Sequence, residues 1–389
     1  MKEIYLDNSA TTPLSAAAKG AMTEVMEIYG NPSSLHSAGQ AAQKIVENAR
    51  EQVLGGLSVR RRRDGGALVF TSSGTEASSL ALFGTAYAKK RREARRILTT
   101  DSEHPSVARV MDALEADGFE VVRISTKNGV LDMDGVRAAL DEKIFLASFM
   151  LVNNETGAVY SVGEAFKLIK SKYPDAVTHC DAVQGFMKVR FSPATLSADL
   201  ITVSAHKIHA PKGVGALYIS EPMLKAKKIV PVMLGGGQEG GMRSGTENVI
   251  GIAAFGAAVA DVNGRRQEYE SYMEELRAYA EDKLSALDLR INRPAGARLA
   301  GIINITLRGI KSETMLHALS ADGIFVSSGS ACSSHSKKAS DSLLAFGISP
   351  DEADTSLRIS MSEYNTKEDI DALCESLGRN IDRLVKIRR

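Results

Sequence analysis

The chain has 389 residues, 44% hydrophobic and 24% charged, which is room for two domains and a large core of ordinary globular type. Its formal net charge of +1 gives no bulk electrostatic case for binding nucleic acid or a membrane surface. No apolar stretch reaches membrane-spanning length, and the opening Met1-Lys-Glu-Ile-Tyr-Leu-Asp-Asn8 has acids and no apolar leader segment, so the expected location is cytoplasmic.

In chain order, short β-branched runs predict strands over 67–71, 96–100, 120–125, 144–151, 176–181, 200–204 and 215–219. Amphipathic segments separate several of them, the pattern of βαβ units and an α/β fold with a mostly parallel central sheet. From about Gly251 the character changes. A small-residue helix over 252–260 leads into a charged helix over 265–284, then a strand over 302–307, a helix over 313–320 and a β-type run over 324–326. These elements suggest a smaller α+β domain made of residues 1–14 and 256–389, set against a large α/β domain over 15–255. The basic runs Arg60-Arg-Arg-Arg63 and Lys89-Lys-Arg-Arg-Glu-Ala-Arg-Arg96 read as a surface turn and a solvated helix end.

The residues with chemistry to offer cluster just after the predicted strands, where open α/β sheets bind ligands. Thr71-Ser-Ser-Gly-Thr-Glu-Ala77 gives a strand, then small hydroxyl and glycine residues, then a helix start; it suits a phosphate or is a plain helix cap. His104 follows the second strand and could stack on a ring and move protons, or be a structural histidine. Asn153-Asn-Glu-Thr-Gly157 closes the fourth strand with polar side chains and a turn glycine. Asp181, at the end of the fifth, can hold a pyridine nitrogen protonated or cap a helix; Gln184 could bond a ring hydroxyl.

In Leu200-Ile-Thr-Val-Ser-Ala-His-Lys207, an apolar run delivers a lysine beside a histidine just before a Pro/Gly-rich turn. A lysine ending a buried strand is costly unless its charge is used, and a Schiff base with an aldehyde cofactor removes that charge. A solvated surface lysine is the plain alternative. Arg358 stands alone in a β-type run, where it faces solvent or clamps a carboxylate with its two-pronged guanidinium. Of three cysteines, Cys180 and Cys374 read as core. With an odd number and no C-x-x-C pair, neither a disulfide framework nor a cysteine zinc site is expected, and no metal is assigned. Cys332, flanked by small polar residues, reads as an exposed thiol whose reactivity is used.

Six segments together resemble the NifS/IscS cysteine desulfurases, fold-type I, class V enzymes dependent on pyridoxal 5'-phosphate. They are Tyr5-Leu-Asp-Asn-Ser-Ala-Thr-Thr-Pro13, Gly30-Asn-Pro-Ser-Ser34, Val152-Asn-Asn-Glu155, Ser204-Ala-His-Lys207, Gly241-Met-Arg-Ser-Gly-Thr246 and Ser327-Ser-Gly-Ser-Ala-Cys332. The likeness runs from about Tyr5 to about Arg388. It implies Lys207 as the Schiff-base lysine and Gly74, Thr75, Ser204 and His206 around the phosphate, with Thr246 reaching the phosphate of the neighbouring subunit in a homodimer. Asp181 would hold the pyridine nitrogen, Gln184 the ring oxygen, and His104 would stack on the ring; Asn154 and Arg358 would bind the substrate carboxylate. Cys332 would accept sulfur from L-cysteine as a persulfide, releasing L-alanine and passing the sulfur to an iron–sulfur scaffold, a sulfur-relay protein or a tRNA-thiolation route.

The chain departs from the family at the phosphate loop, Ser-Ser-Gly-Thr-Glu76 for the usual Ser-Gly-Ala-Thr-Glu. It departs again after Arg358, where Ile-Ser-Met-Ser-Glu363 replaces a more usual glycine and basic residue. Three rival readings stand beside the desulfurase. Gly235-Gly-Gly-Gln-Glu-Gly240 is formally a dinucleotide fingerprint, discounted because Met242-Arg-Ser-Gly245 delays the helix that should open there. A class V aminotransferase would need Lys207 and Asp181 but not Cys332, and a turnover-free assembly platform would need neither Lys207 nor Cys332.

Overall fold

The structure, a computed structural model, describes residues 3–88, 94–328 and 340–384. Cys332, most of the basic stretch after Ala88 and the final Lys-Ile-Arg-Arg389 lie outside the described residues. Its strands, in chain order, are β1 (Ile4–Tyr5), β2 (Ala67–Thr71), β3 (Arg96–Thr100), β4 (Glu120–Ile124), β5 (Ile144–Met150), β6 (Val177–Asp181), β7 (Leu200–Ser204), β8 (Gly215–Ile219), β9 (Leu289–Ile291), β10 (Ile302–Leu307), β11 (Ile324–Phe325), β12 (Ser327–Ser328) and β13 (Ser356–Ser360).

Seven of them form one sheet in the order β2-β8-β7-β6-β5-β3-β4. Only β8 runs against the rest, since it pairs antiparallel with both β2 and β7 while the other contacts are parallel. Helices cover both faces of a parallel sheet, so its strands are shielded from water on both sides. Every residue of β6, β7 and β8 is accordingly buried. The shared direction brings the C-terminal ends of β2, β3, β5, β6 and β7 to one edge, together with the start of β8.

The small-residue helix runs over Val249–Gly264 and packs on Ser37–Gly56 and Ala16–Val25. Its composition follows from closeness: a Cβ at Gly256 would lie 2.7 Å from Ala49 Cα. The glycines over 235–240 end in a single 3-10 turn, Glu239–Gly241, and the next helix opens only at Val249, so no dinucleotide-binding turn forms. The expected surface turn at Arg60 instead starts a one-turn helix, Arg61–Asp64, fixed by a 2.8 Å bond from the Arg60 N–H to Asp64 Oδ2.

A second, antiparallel sheet has the order β12-β13-β10-β9, and β1 pairs parallel with β11. Ile4 and Leu6 from the chain start join Leu276, Ile303, Ile305, Leu357, Ile359 and Leu373 in a separate core around it. Cys374 is buried in this core and Cys180 in the large sheet. No helix among the described residues is long and apolar enough to cross a membrane.

Candidate active site

Buried β7 ends at Ser204, and a 3-10 turn, Ala205–Lys207, carries His206 and Lys207 to half-buried positions. The Lys207 ammonium donates to the carbonyls of Ser9 and Ala10, the latter at 2.8 Å, so it is not a solvated surface lysine. His206 Nδ1 lies 3.2 Å from Thr11 Oγ1; burial and then the charge of Lys207 push its imidazole down to about 4.

At the end of β2, Ser73 caps the helix Gly74–Tyr87 by accepting from the Glu76 N–H at 3.1 Å. A Cβ at Gly74 would lie 3.3 Å from Ser204 Cβ and 3.0 Å from Val183 Cγ2, so the helix start and β7 meet without room for a side chain. The Ser204 hydroxyl beside it is buried and has no partner among the described residues. Ser73 thus caps the helix while the Ser204 hydroxyl beside the helix start is left for another partner, an arrangement that suits an anion. Thr75 is exposed at this helix start.

Asp181 closes β6, in register with Met150 on β5 and Thr202 on β7. It accepts from the Val183 N–H at 3.0 Å within a turn, not at a helix start. Burial pushes its carboxyl up to about 6, against the Val183 N–H and the Lys207 charge. Gln184 donates to the Ser9 carbonyl at 2.9 Å, and its buried Oε1 has no partner. What Gln184 offers a ring is thus an acceptor, to which a ring hydroxyl can donate.

Sequence reasoning gave Glu103 no role, yet it lies between these strands. Its Oε1 accepts from Thr100 Oγ1 at 2.7 Å and from the Met150 N–H at 2.8 Å, while Oε2 is buried without a partner. Burial pushes this carboxyl up to about 8 despite the Thr100 bond, and the Asp181 charge adds to the effect. Its place beside His104, after a strand end, was the available signal. His104 caps the helix Pro105–Ala116, accepting from the Ser106 N–H at 3.1 Å, and keeps an exposed face. Burial of the remainder, then the Lys207 charge, lowers its imidazole to about 4, so the ring is neutral at pH 7.

Arg358, on β13, is only 4% exposed at its side chain. Its Nη1 donates to the Asn154 carbonyl at 3.1 Å and its Nη2 to Asp7 Oδ1 at 2.8 Å, while Nε is buried without a partner among the described residues. It does not face solvent. Asn153 Oδ1 accepts from the N–H groups of Glu155 and Thr156, shaping the turn that presents Asn154. Asp7, the second residue that sequence reasoning passed over, lies within Tyr5-Leu-Asp-Asn8. Thr246 is exposed in the wall of a separate cavity with Thr71, Ser72 and Gly213.

Residues 4–373 match the family model described as aminotransferase class-V. The chain is 38% identical over 389 residues to a cysteine desulfurase of Trichormus azollae, covering 99% of this chain and 94% of that relative. The chain belongs to the cysteine desulfurases. Among solved structures, a NifS-like protein superposes on this desulfurase with a TM-score of 0.90 at 33% identity, covering 98% of this chain and all of that one. A structure of SspA in complex with cysteine has a TM-score of 0.80 at 28% identity, with 94% and 100% coverage. The cofactor of this family is pyridoxal phosphate, and the residues of the desulfurase suit it. The orphaned Ser204 hydroxyl at a helix N-terminus fits a phosphate, and the buried Asp181 carboxyl fits a pyridine nitrogen.

Proposed function

We propose that this desulfurase acts on L-cysteine through Lys207 and leaves the sulfur as a persulfide on Cys332, releasing L-alanine. The observation that carries the reading is that Lys207 and the buried Asp181 carboxyl follow neighbouring strand ends, near enough for the Lys207 charge to act on that carboxyl, with the unpartnered Ser204 hydroxyl at the end of the same strand as Lys207. Cysteine held by the related SspA supports the substrate.

In this reading Lys207 would hold the cofactor through its amine, and that amine would take the substrate α-proton. Gly74, Thr75, Ser204 and His206 hold the phosphate, with Thr246 from the second subunit of a homodimer. Asp181 would hold the pyridine nitrogen, a cationic partner that favours the ionised form of its carboxyl. Gln184 meets the ring oxygen, and Asn154 and Arg358 take the substrate carboxylate. His104 would move the substrate thiol proton, a role that its lowered imidazole pKa supports. Pyridoxal phosphate supplies the electron sink at the substrate's α-carbon.

Cys332 completes the exchange as a thiolate attacking the substrate sulfur. One S–S bond forms and the Cβ–S bond breaks; the electron pair left on carbon is protonated, so cysteine and enzyme thiol become alanine and persulfide without an outside oxidant. The persulfide then goes to a protein acceptor for iron–sulfur assembly or tRNA thiolation.

The division into a large cofactor-binding domain, expected over 15–255, and a smaller one, expected over 1–14 and 256–389, belongs to the same proposal, with the boundary moved past Gly264 because Ala258, Val259 and Val262 pack in the large core. Packing of Ile4 and Leu6 in the small-sheet core supports it. Cytoplasmic action is proposed too. The test adds L-cysteine to the yellow protein and quantifies alanine and bound persulfide beside Cys332→Ala. Both products are expected from the parent and neither from the variant. Turnover that ignores the substitution would overturn Cys332 as acceptor and favour an aminotransferase.

A further inference from the structure

Three segments meet at His209, two residues past Lys207. Its N–H donates to Thr12 Oγ1 at 2.7 Å, and its carbonyl accepts from the Ser15 N–H at 2.9 Å. Its φ of +64° is a left-handed conformation that non-glycine residues adopt only when their surroundings hold them there. The ring has two acceptors: Nδ1 lies 2.9 Å from the Pro13 carbonyl oxygen and Nε2 3.2 Å from Glu363 Oε2. A carbonyl and a carboxylate only accept, so both ring nitrogens face acceptor oxygens. The pair is buried, with side chains 6% and 7% exposed.

Glu363 comes from the segment after Arg358, at the position where the chain departs from its family's usual basic residue. The same N-terminal stretch binds both sides. Thr12 donates twice to the His206 carbonyl, Ser9 receives Lys207, and the Ser9 N–H donates to Ser360 Oγ at 2.9 Å. The His209–Glu363 pair closes this loop of contacts between the Lys207 turn and the end of β13.

We propose that Glu363 is a positioning residue: through His209 it fixes the Lys207 turn against the Arg358 strand and sets the electrostatic surroundings of Lys207. Other charged and titratable groups face the pair. Arg265 Nη2 lies 3.3 Å from Glu363 Oε1 and is shared with Asp261 at 2.8 Å. The Tyr364 ring meets His209 edge-on at 4.8 Å, and Lys188, Tyr269 and Lys207 line the same narrow cavity. Burial alone would raise the Glu363 carboxyl, but the His209 bond and the His209 and Arg265 charges hold it below the usual range, so it stays ionised. Its negative charge favours the cationic form of Lys207 and of the cofactor linkage there; Arg265 opposes that.

This inference rests on Lys207 as the cofactor lysine. The test titrates the visible absorbance of the holoenzyme against pH and measures KM and kcat for L-cysteine. Glu363→Gln is expected to move the absorbance midpoint down by about half a pH unit and to raise KM several-fold more than it lowers kcat. Arg265→Gln is expected to move the midpoint up, and Glu363→Asp to stay closer to the parent than Glu363→Gln. A Glu363→Gln/His209→Gln double variant should be little worse than the worse single one. Parental midpoints and KM in Glu363→Gln, or shifts of one sign in Glu363→Gln and Arg265→Gln, would overturn the proposal. A parent protein without a visible band would overturn the Lys207 reading itself, and this inference with it.

Discussion

Asp7 and Arg358 lie 351 positions apart in sequence, yet their side chains meet at 2.8 Å with the guanidinium 4% and the carboxylate 19% exposed. The pair, with the Asn154 carbonyl, holds the arginine fork in one orientation and leaves Nε for another acceptor. Asp7→Asn leaves a buried guanidinium without its countercharge. Surface pairs contribute under 1 kcal/mol and breaking fully buried ones costs 3–5, so a loss of about 2 kcal/mol is expected in urea unfolding. Arg358→Lys keeps the charge but loses the fork, and KM for L-cysteine should rise about tenfold or more with a smaller change in kcat. An unchanged KM would remove Arg358 from the substrate carboxylate.

Gly215 opens β8 directly under the proposed phosphate site. A Cβ there would lie 2.4 Å from the Ser73 carbonyl carbon and 2.7 Å from the Gly74 N. These are backbone atoms and cannot swing aside, so Gly215→Ala must push the helix start away from β8. Overpacking of this kind costs about 1–3 kcal/mol. The variant should unfold at lower urea and lose its visible cofactor on dialysis faster than the parent. Retention at the parental rate would mean that the helix start does not hold the phosphate.

These two residue sets differ in how far the sequence disclosed them. Lys207, Asp181 and Ser204 each end or follow a continuous β-branched run, so one-dimensional pattern and strand-end position sufficed. The seven predicted strands of the large sheet form within a residue or so of their expected bounds for the same reason. Asp7 and Ser9 belong to an irregular stretch, and their partners stand 351 and 198 positions away; no local period reports such a contact. β9 has three residues, too few for alternation to show. Glu103 has polar sequence neighbours, and no local pattern marks it as buried. Its burial comes from β3 and β5 closing over it, which only the tertiary structure shows.

Glu103 should leave a mark on stability against pH. Its carboxyl is raised from 4.5 in the unfolded chain to about 8 in the fold, so between these values the native state binds the extra proton. Its contribution is fully present below 4.5 and is lost as pH rises towards about 8. Gln resembles the protonated acid and keeps an oxygen for Thr100 and Met150. Relative to the parent, Glu103→Gln is therefore expected to gain on the order of 2–4 kcal/mol between pH 4.5 and pH 8. Urea unfolding of both proteins at pH 5 and pH 8 checks this. A difference independent of pH would mean that Glu103 is ionised throughout.

The proposed homodimer has its own test in the stretch before Thr246. Val232, Met233 and Leu234 are 47%, 44% and 79% exposed, and Tyr29 and Leu35 are 90% and 91% exposed. The chain that follows is firmly held: Glu239 receives Arg50 at 2.7 and 3.0 Å and the Phe70 N–H at 2.9 Å, and Arg243 binds Glu76 at 2.7 Å. Apolar side chains displayed on a fixed loop mark a contact surface. Leu234→Asp places a charge there and should weaken self-association tenfold or more by sedimentation. If Thr246 completes the neighbour's phosphate site, cofactor retention in Leu234→Asp should fall on dilution and recover on concentration. Thr246→Ala should lose cofactor at every concentration while its mass stays dimeric. A fully active monomer of the parent would remove Thr246 from the site and make each chain self-sufficient.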